Sequence, residues 1–259
     1  MRGAGILGGM NSGLPLAERF RMALSEQGTP DADPELLAQR LSRAVVKVLP
    51  VDGAGISVQV PPGRQFPLGA SDAESGLAER LQFTTGAGPC LHASEARQPV
   101  FVVAADMARR WPAFHEQLMT RTAYRGIVAL PMRRGLAGVG AIDLYFRRES
   151  GVSVLDVFSA MTVGDLVTAA LAEAAVWSSW SETDGPDWLQ SPSARNRAGV
   201  WEAMSQISLA LDLAPEQALS VLRGQAYAQG RTVDELAADV LDGRLDLPAV
   251  FGDGATDPR

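Results

Sequence analysis

The stretch GIVALPMRRGLAGVGAIDLYF, residues 126–146, decides the fold. Its two short apolar runs, GIVALPM and GVGAIDLYF, are separated by RRGLA, and this pattern predicts a pair of strands. Upstream, GISVQV (55–60) alternates at period two, PPG punctuates, and RQFPLGAS returns as a partner strand. PVFVVA (99–104) reads as a short buried strand. Helical periods fill the intervals. Asp33 followed by Pro34 opens one whose stripe is Leu36, Leu37, Leu41, Val45 and Val48; residues 74–83 form a second, and Trp111–Tyr124 a third, entered through Pro112. A long helix starting near Ser153 carries Val154, Phe158, Met161, Leu166 and Leu171 on one side. The sum is an α+β fold, a mostly antiparallel sheet with helices at its start, middle and end.

Composition narrows the function classes. The chain has 259 residues, 46% apolar and 20% charged, which is enough apolar material for a buried core. Asp156, Asp165 and Glu173 interrupt the most apolar long segment, 152–177, so a spanning helix is not expected, and the N-terminal MRGAGILGGMNSG lacks the continuous apolar region of a secretion signal. These features read as cytoplasmic. One cysteine, Cys90, cannot form an internal disulfide, and with two histidines it cannot complete a closed Cys/His zinc set, so no metal site is expected.

From residue 177 onward the chain changes character. WSSWSETDGPDWLQSPS (177–193) has the composition of a linker, but its tryptophans, Trp177, Trp180 and Trp188, are expected to dock on a neighbouring surface. Beyond it the pattern is wholly helical. Val200, Met204, Ile207 and Leu211 form one stripe; Pro215 opens a second helix, with Ala218, Val221, Leu222 and Tyr227 inward; and Thr232-Val-Asp-Glu235 is a capping box opening a third. Three short helices make a bundle that is marginal alone, so packing on the long helix or dimerisation should complete its burial. The predicted organisation is a tail at 1–13, an α+β domain at 14–175, a linker at 176–193, a three-helix domain at 194–247 and a tail at 248–259. Residues 193–247 carry five basic against eight acidic groups, a net −3 that weighs against non-specific nucleic-acid affinity.

Two family resemblances rest on particular residues. GAGPCLHASEARQPVFVVAADMARRWPAF (86–114), followed by YRGIVALPMRRGLAGVGAIDLYF (124–146), resembles the GAF domains of actinobacterial signalling proteins over roughly 35–175. That resemblance implies a sensing role without naming a ligand or a cofactor. PEQALSVLRGQAYAQGRTVDELAADVL (215–241) is similar to the ANTAR domain, the RNA-binding output module of bacterial antiterminators, through Ala218, Leu222, Arg223, Arg231, Leu236 and Ala237. The first helix departs from the ANTAR pattern at Ala203, Met204 and Ser205, which removes one cationic contact.

The resemblances imply candidate residues. For RNA these are Arg223, Arg231, Tyr227, Ser205 and Arg197, with guanidinium forks for phosphates or base edges and Tyr227 for stacking. For a ligand between sheet and helices they are Cys90, His92, Arg109, Trp111, Tyr124 and Arg125. Cys90 follows Gly88-Pro89, where a helix start would make the thiol reactive; the plainer reading is a small buried hydrophobe. No catalytic set is recognised: phosphate loop, nucleophile elbow and paired carboxylates at a diagnostic spacing are all missing from the sequence. The expectation is a cytoplasmic, homodimeric, non-enzymatic regulator in which a GAF-like sensor gates RNA-hairpin binding and antitermination. The rival is a protein-interaction adaptor whose helical bundle no longer binds RNA.

Overall fold

The computed structural model describes residues 14–28, 33–60, 64–136, 138–177 and 187–251. Five strands, β1 (Gly53–Val60), β2 (Arg64–Ala70), β3 (Val100–Val103), β4 (Gly126–Pro131) and β5 (Gly140–Phe146), form one antiparallel sheet in the order β2-β1-β5-β4-β3. Both predicted strand pairs are present. In β4 and β5 every residue is buried, because helices cover both faces of the sheet at its centre.

Period-two alternation sorts the side chains. Ala54, Ile56 and Val58 of β1, Val128 and Leu130 of β4, and Ile142, Leu144 and Phe146 of β5 point into the larger core. There they meet α1 (Leu16–Ser25), α2 (Leu37–Val48) and α8 (Val157–Trp177). Ile127, Ala129, Ala141 and Tyr145 point the other way, onto α3 (Ala73–Thr85), α4 (Pro89–Ala96), α5 (Ala104–Arg110) and α6 (Pro112–Arg121). The start of α3 is fixed by Asp72, whose carboxylate accepts the Ser75 amide at 2.9 Å. Its end is fixed by Gly86, which takes the left-handed conformation at φ 67°.

The expected long helix is two. α7 (Glu149–Val154) stops at Leu155, whose extended backbone breaks the period, and α8 restarts at Val157. α8 has the length and hydropathy of a membrane span, yet Ala160, Val163, Val167 and Leu171 lie within the larger core, while Phe158 at 84% and Val176 at 75% exposure face outward.

The C-terminal helices are α9 (Pro192–Leu211), α10 (Pro215–Ala228), α11 (Val233–Leu241) and α12 (Leu247–Phe251). The capping box forms as read: Thr232 Oγ1 accepts the Glu235 amide and Glu235 accepts the Thr232 amide. Residues 247–251, assigned mostly to a tail, are instead helical, since Phe251 is buried in the bundle core. Missing burial is supplied from an unexpected side: Phe66 of β2 and Phe83 of α3 insert into the cluster of Val200, Ile207, Leu222 and Leu236, where the long helix had been expected. Trp188 docks in the larger core as anticipated; the Trp177 side chain and Trp180 lie outside the described residues.

Candidate functional site

A polar cluster lies buried on the α3/α4 face of the sheet. In β1 and β5 the residues facing α3 pair directly: Gly53 with Tyr145, Gly55 with Asp143, and Ser57 with Ala141. Glu79 reaches over this surface from the inward side of α3, and Gly55 is what admits it. A Cβ built on Gly55 would sit 2.1 Å from Glu79 Oε1, so any larger residue would displace the carboxylate.

Glu79 accepts from Ser57 Oγ and, at 2.7 Å, from Tyr145 Oη. Gln82, one turn further along α3, does two tasks. Its Nε2 donates to Asp143 Oδ2 at 2.5 Å, and its Oε1 accepts the Cys90 amide at 2.8 Å. Gln65 of β2 donates to Cys90 Sγ at 3.8 Å. Two buried oxygens in the cluster, Asp143 Oδ1 and Gln65 Oε1, have no hydrogen-bond partner.

Burial dominates the electrostatics. It pushes Asp143 well above the usual carboxylate range, and the nearby charge of Glu79 pushes it further. Glu79 is also raised by burial, a rise tempered by bonds from Ser57, Tyr145 and Asp143 and by the field of Arg197. Cys90 sits in the first turn of α4, but burial and the two carboxylates push its thiol up, opposite to the lowering expected from a helix start. It is a buried, protonated thiol.

The cluster is tied to the C-terminal helices. Arg197 of α9 is completely buried, donating Nη1 to the Gln65 carbonyl at 3.1 Å and forming a bidentate pair with Asp234 of α11 at 2.9 and 3.1 Å. Its guanidinium lies 3.6 Å from the Phe83 ring centroid, and Arg223 lies over the same ring at 4.7 Å. Arg223 Nε donates to the Phe83 carbonyl, and burial together with the Arg197 charge lowers its pKa to about 10. The Val233 amide donates to Thr84 Oγ1 at 3.0 Å.

These contacts place the residues nominated for RNA. In this structure Arg197 is buried and held by Asp234, so in this arrangement it offers no surface to a nucleic acid. Arg223 is engaged by Phe83, and Arg231 pairs with Asp239 at 2.6 Å. Tyr227 donates to Glu116 of α6. Ser205 is exposed, but its hydroxyl bonds to the Trp201 carbonyl. Each of the five is engaged with another group of the chain.

The ligand-pocket nominees separate too. Tyr124 is fully buried, stacks on Tyr145 at 4.8 Å and shares a 2.8 Å bond with Ser75. Cys90 belongs to the cluster. Arg109 is exposed and paired with Asp106, Arg125 is turned onto the Thr122 and Tyr124 carbonyls, and His92 packs against the half-buried Trp111 at the surface. Sequence reasoning missed Glu79, Gln82 and Asp143. The available signal was Asp143 itself, an acid in the middle of a strand buried on both faces.

With this geometry in place, the family follows from sequence comparison. A GAF-domain family model matches residues 31–172, more than half of the chain, and the chain belongs to the GAF-domain family. Its five-stranded sheet with flanking helices is the GAF part of the molecule. No curated protein matches the chain closely enough to name a relative. Among solved structures, it is similar to a domain of a two-component sensor histidine kinase protein from Sinorhizobium meliloti 1021, at 17% identity over 54% of this chain and 90% of that one, with a TM-score of 0.41. It is also similar to the GAF domain of a phosphoenolpyruvate-protein phosphotransferase from Coxiella burnetii, at 12% identity over 62% and 96% of the two chains and a TM-score of 0.41. The corresponding Acinetobacter domain gives 11% identity, 63% and 96% coverage, and 0.40.

Proposed function

We propose that the chain is a non-catalytic, cytoplasmic signal-transducing protein: its GAF domain senses through the buried polar cluster, and the C-terminal helices α9–α12 are its output. Arg197 carries this reading. One buried guanidinium touches the Gln65 carbonyl beside the cluster, exerts its field on Glu79 and grips Asp234 in the output helices. A change of charge or occupancy at Glu79 is therefore felt by the Arg197–Asp234 pair, and shifts the balance between a docked and a released output unit.

The RNA-hairpin contact and antitermination implied by the sequence belong, in this proposal, to the released form, since Phe83 of the GAF domain holds Arg223 in the docked one, whereas Arg231 pairs with Asp239 inside the C-terminal helices in either form. The docked form suits protein contact: its acidic bundle carries Leu209 at 86% exposure. A homodimer is part of the proposal, built on Val154 and Phe158, which stand exposed at the α7–α8 junction. Light scattering at micromolar concentration tests it, and a monomer would remove dimer geometry from the mechanism.

Gel shifts against paired hexaloop hairpins at rising salt test the output, using the full chain and Phe83→Ala. The expected result is no shift for the parent and salt-sensitive binding for the variant. Failure of both leaves protein contact as the output; equal binding by the parent overturns the docked and released forms.

A further inference from the structure

We propose that Glu79, Cys90 and Asp143 bind one divalent cation of the borderline, zinc-like class. This deepens the sensor reading by naming a ligand class for its cluster, and rests on that reading only for its regulatory meaning. The three side chains come from α3, α4 and β5, and their donor atoms all lie within 4.8 Å of one another. A tetrahedral zinc site with bonds of about 2.0 Å to oxygen and about 2.3 Å to sulfur has edges of roughly 3.3–3.8 Å, so an inward rotation of about 1 Å closes the set.

The donors are already oriented by hydrogen bonds, and each Glu79 oxygen, though it accepts one, keeps a second lone pair for a metal. Gln82 fixes the Cys90 backbone and one oxygen of Asp143, while Ser57 and Tyr145 fix Glu79. The second oxygen of Asp143 is fully buried without a partner, as is Oε1 of Gln65, whose amide nitrogen already contacts the Cys90 sulfur. Such orphaned oxygens in a closed interior are what a cation would satisfy. A thiolate with two carboxylates prefers a borderline metal to magnesium or calcium, which take oxygen ligands.

An approach exists from the Glu79 side of the cluster. Glu79 lines a cavity of about 30 Å³, the volume of one water. Arg80, Asn196 and Asp234 border that cavity and also border a groove of about 560 Å³ between α3 and the output helices. A cation entering this way passes the Arg197–Asp234 pair, so loading the site and docking the output share residues. Binding exchanges a proton for metal: the Cys90 thiol releases its proton to solvent as the metal–sulfur bond forms, with no change of oxidation state.

The test uses the full chain, stripped with chelator and titrated with Zn²⁺ against a chromophoric competitor, then with Co²⁺ as a spectroscopic substitute. One equivalent of Zn²⁺ should bind, and Co²⁺ should give a thiolate charge-transfer band. Cys90→Ser should abolish that band, and Gln82→Ala should weaken Zn²⁺ binding by about 10–100-fold. Far-UV circular dichroism checks that each variant is folded, and the parent's cobalt spectrum decides the matter should a variant unfold. Absence of stoichiometric uptake, uptake without the charge-transfer band, or uptake unchanged in folded variants would each overturn the site. Hydrogen exchange in α9–α11, measured with and without Zn²⁺, separates the two readings: metal binding without any change there retains the site and removes its role in gating.

Discussion

Replacing Arg197 by methionine removes the charge that joins the GAF domain to the C-terminal helices while keeping most of the side-chain volume. In the parent, Arg197 is completely buried and the Asp234 side chain is 8% exposed, so the variant leaves a nearly buried carboxylate without its partner. Breaking a buried pair from one side costs about 3–5 kcal/mol. At about 1.4 kcal/mol per decade, docking should weaken by roughly 10²–10⁴-fold. The loss should be largely local, because the larger core contains neither residue and the sheet meets the pair only at the Gln65 carbonyl of β2. Trp201 reports on it: the side chain is 9% exposed and stands edge-on to Phe83 at 5.7 Å, so release moves it into water and shifts its emission to the red. Urea titrations followed by fluorescence should show an early transition for α9–α11, and hydrogen exchange should speed up in those helices. The double variant Arg197→Met/Asp234→Leu removes both charges and should recover most of the loss. Unchanged docking in the single variant, or a double variant as impaired as the single one, would refute the reasoning.

Phe83→Ala removes the ring shared by Arg197, Arg223 and Trp201 and should destabilise the chain by about 3–5 kcal/mol, read as a lowered urea midpoint with the transition of α9–α11 affected first. Asp72 supplies a pH dependence. Burial alone would raise its carboxyl, but the Ser75 amide and the Ser71 and Ser75 hydroxyls outweigh this and hold it below its usual 3.8. A carboxylate lowered in the folded state contributes stability above pH 3.8 that disappears as pH falls through the folded-state value. Asp72→Ala should therefore cost about 1 kcal/mol at pH 7 and progressively less below pH 3.8, measured as the gap between parent and variant urea midpoints across the acid limb.

Much of the GAF sheet was legible because its signals are local. Strand pairs around PPG and RRGLA, the Asp33-Pro34 helix start and the Thr232–Glu235 capping box all rest on period or capping chemistry within a few residues. The break between α7 and α8 carried one local signal, Asp156, whose carboxylate accepts the Ser159 amide at 3.0 Å and caps α8, next to Leu155 with its extended backbone. The site was readable only in fragments. Cys90 and Tyr124 could be named from motif and type, whereas Glu79 looked like any charged residue on a surface helix, and only the glycine at position 55, across the sheet, makes it an interior group.

By itself, then, the sequence determined an antiparallel α+β sensor domain followed by three helices, because alternation, apolar stripes and caps act within a turn or a strand. Tertiary structure decided where the charges went. Arginines that the family resemblance offered to RNA were folded against Phe83, Asp234 and Asp239, and residues 79, 90 and 143 were gathered into one buried cluster. Charge pairing across 37 residues, and carboxylates meeting across 64, depend on how the chain closes in three dimensions, which no local period encodes.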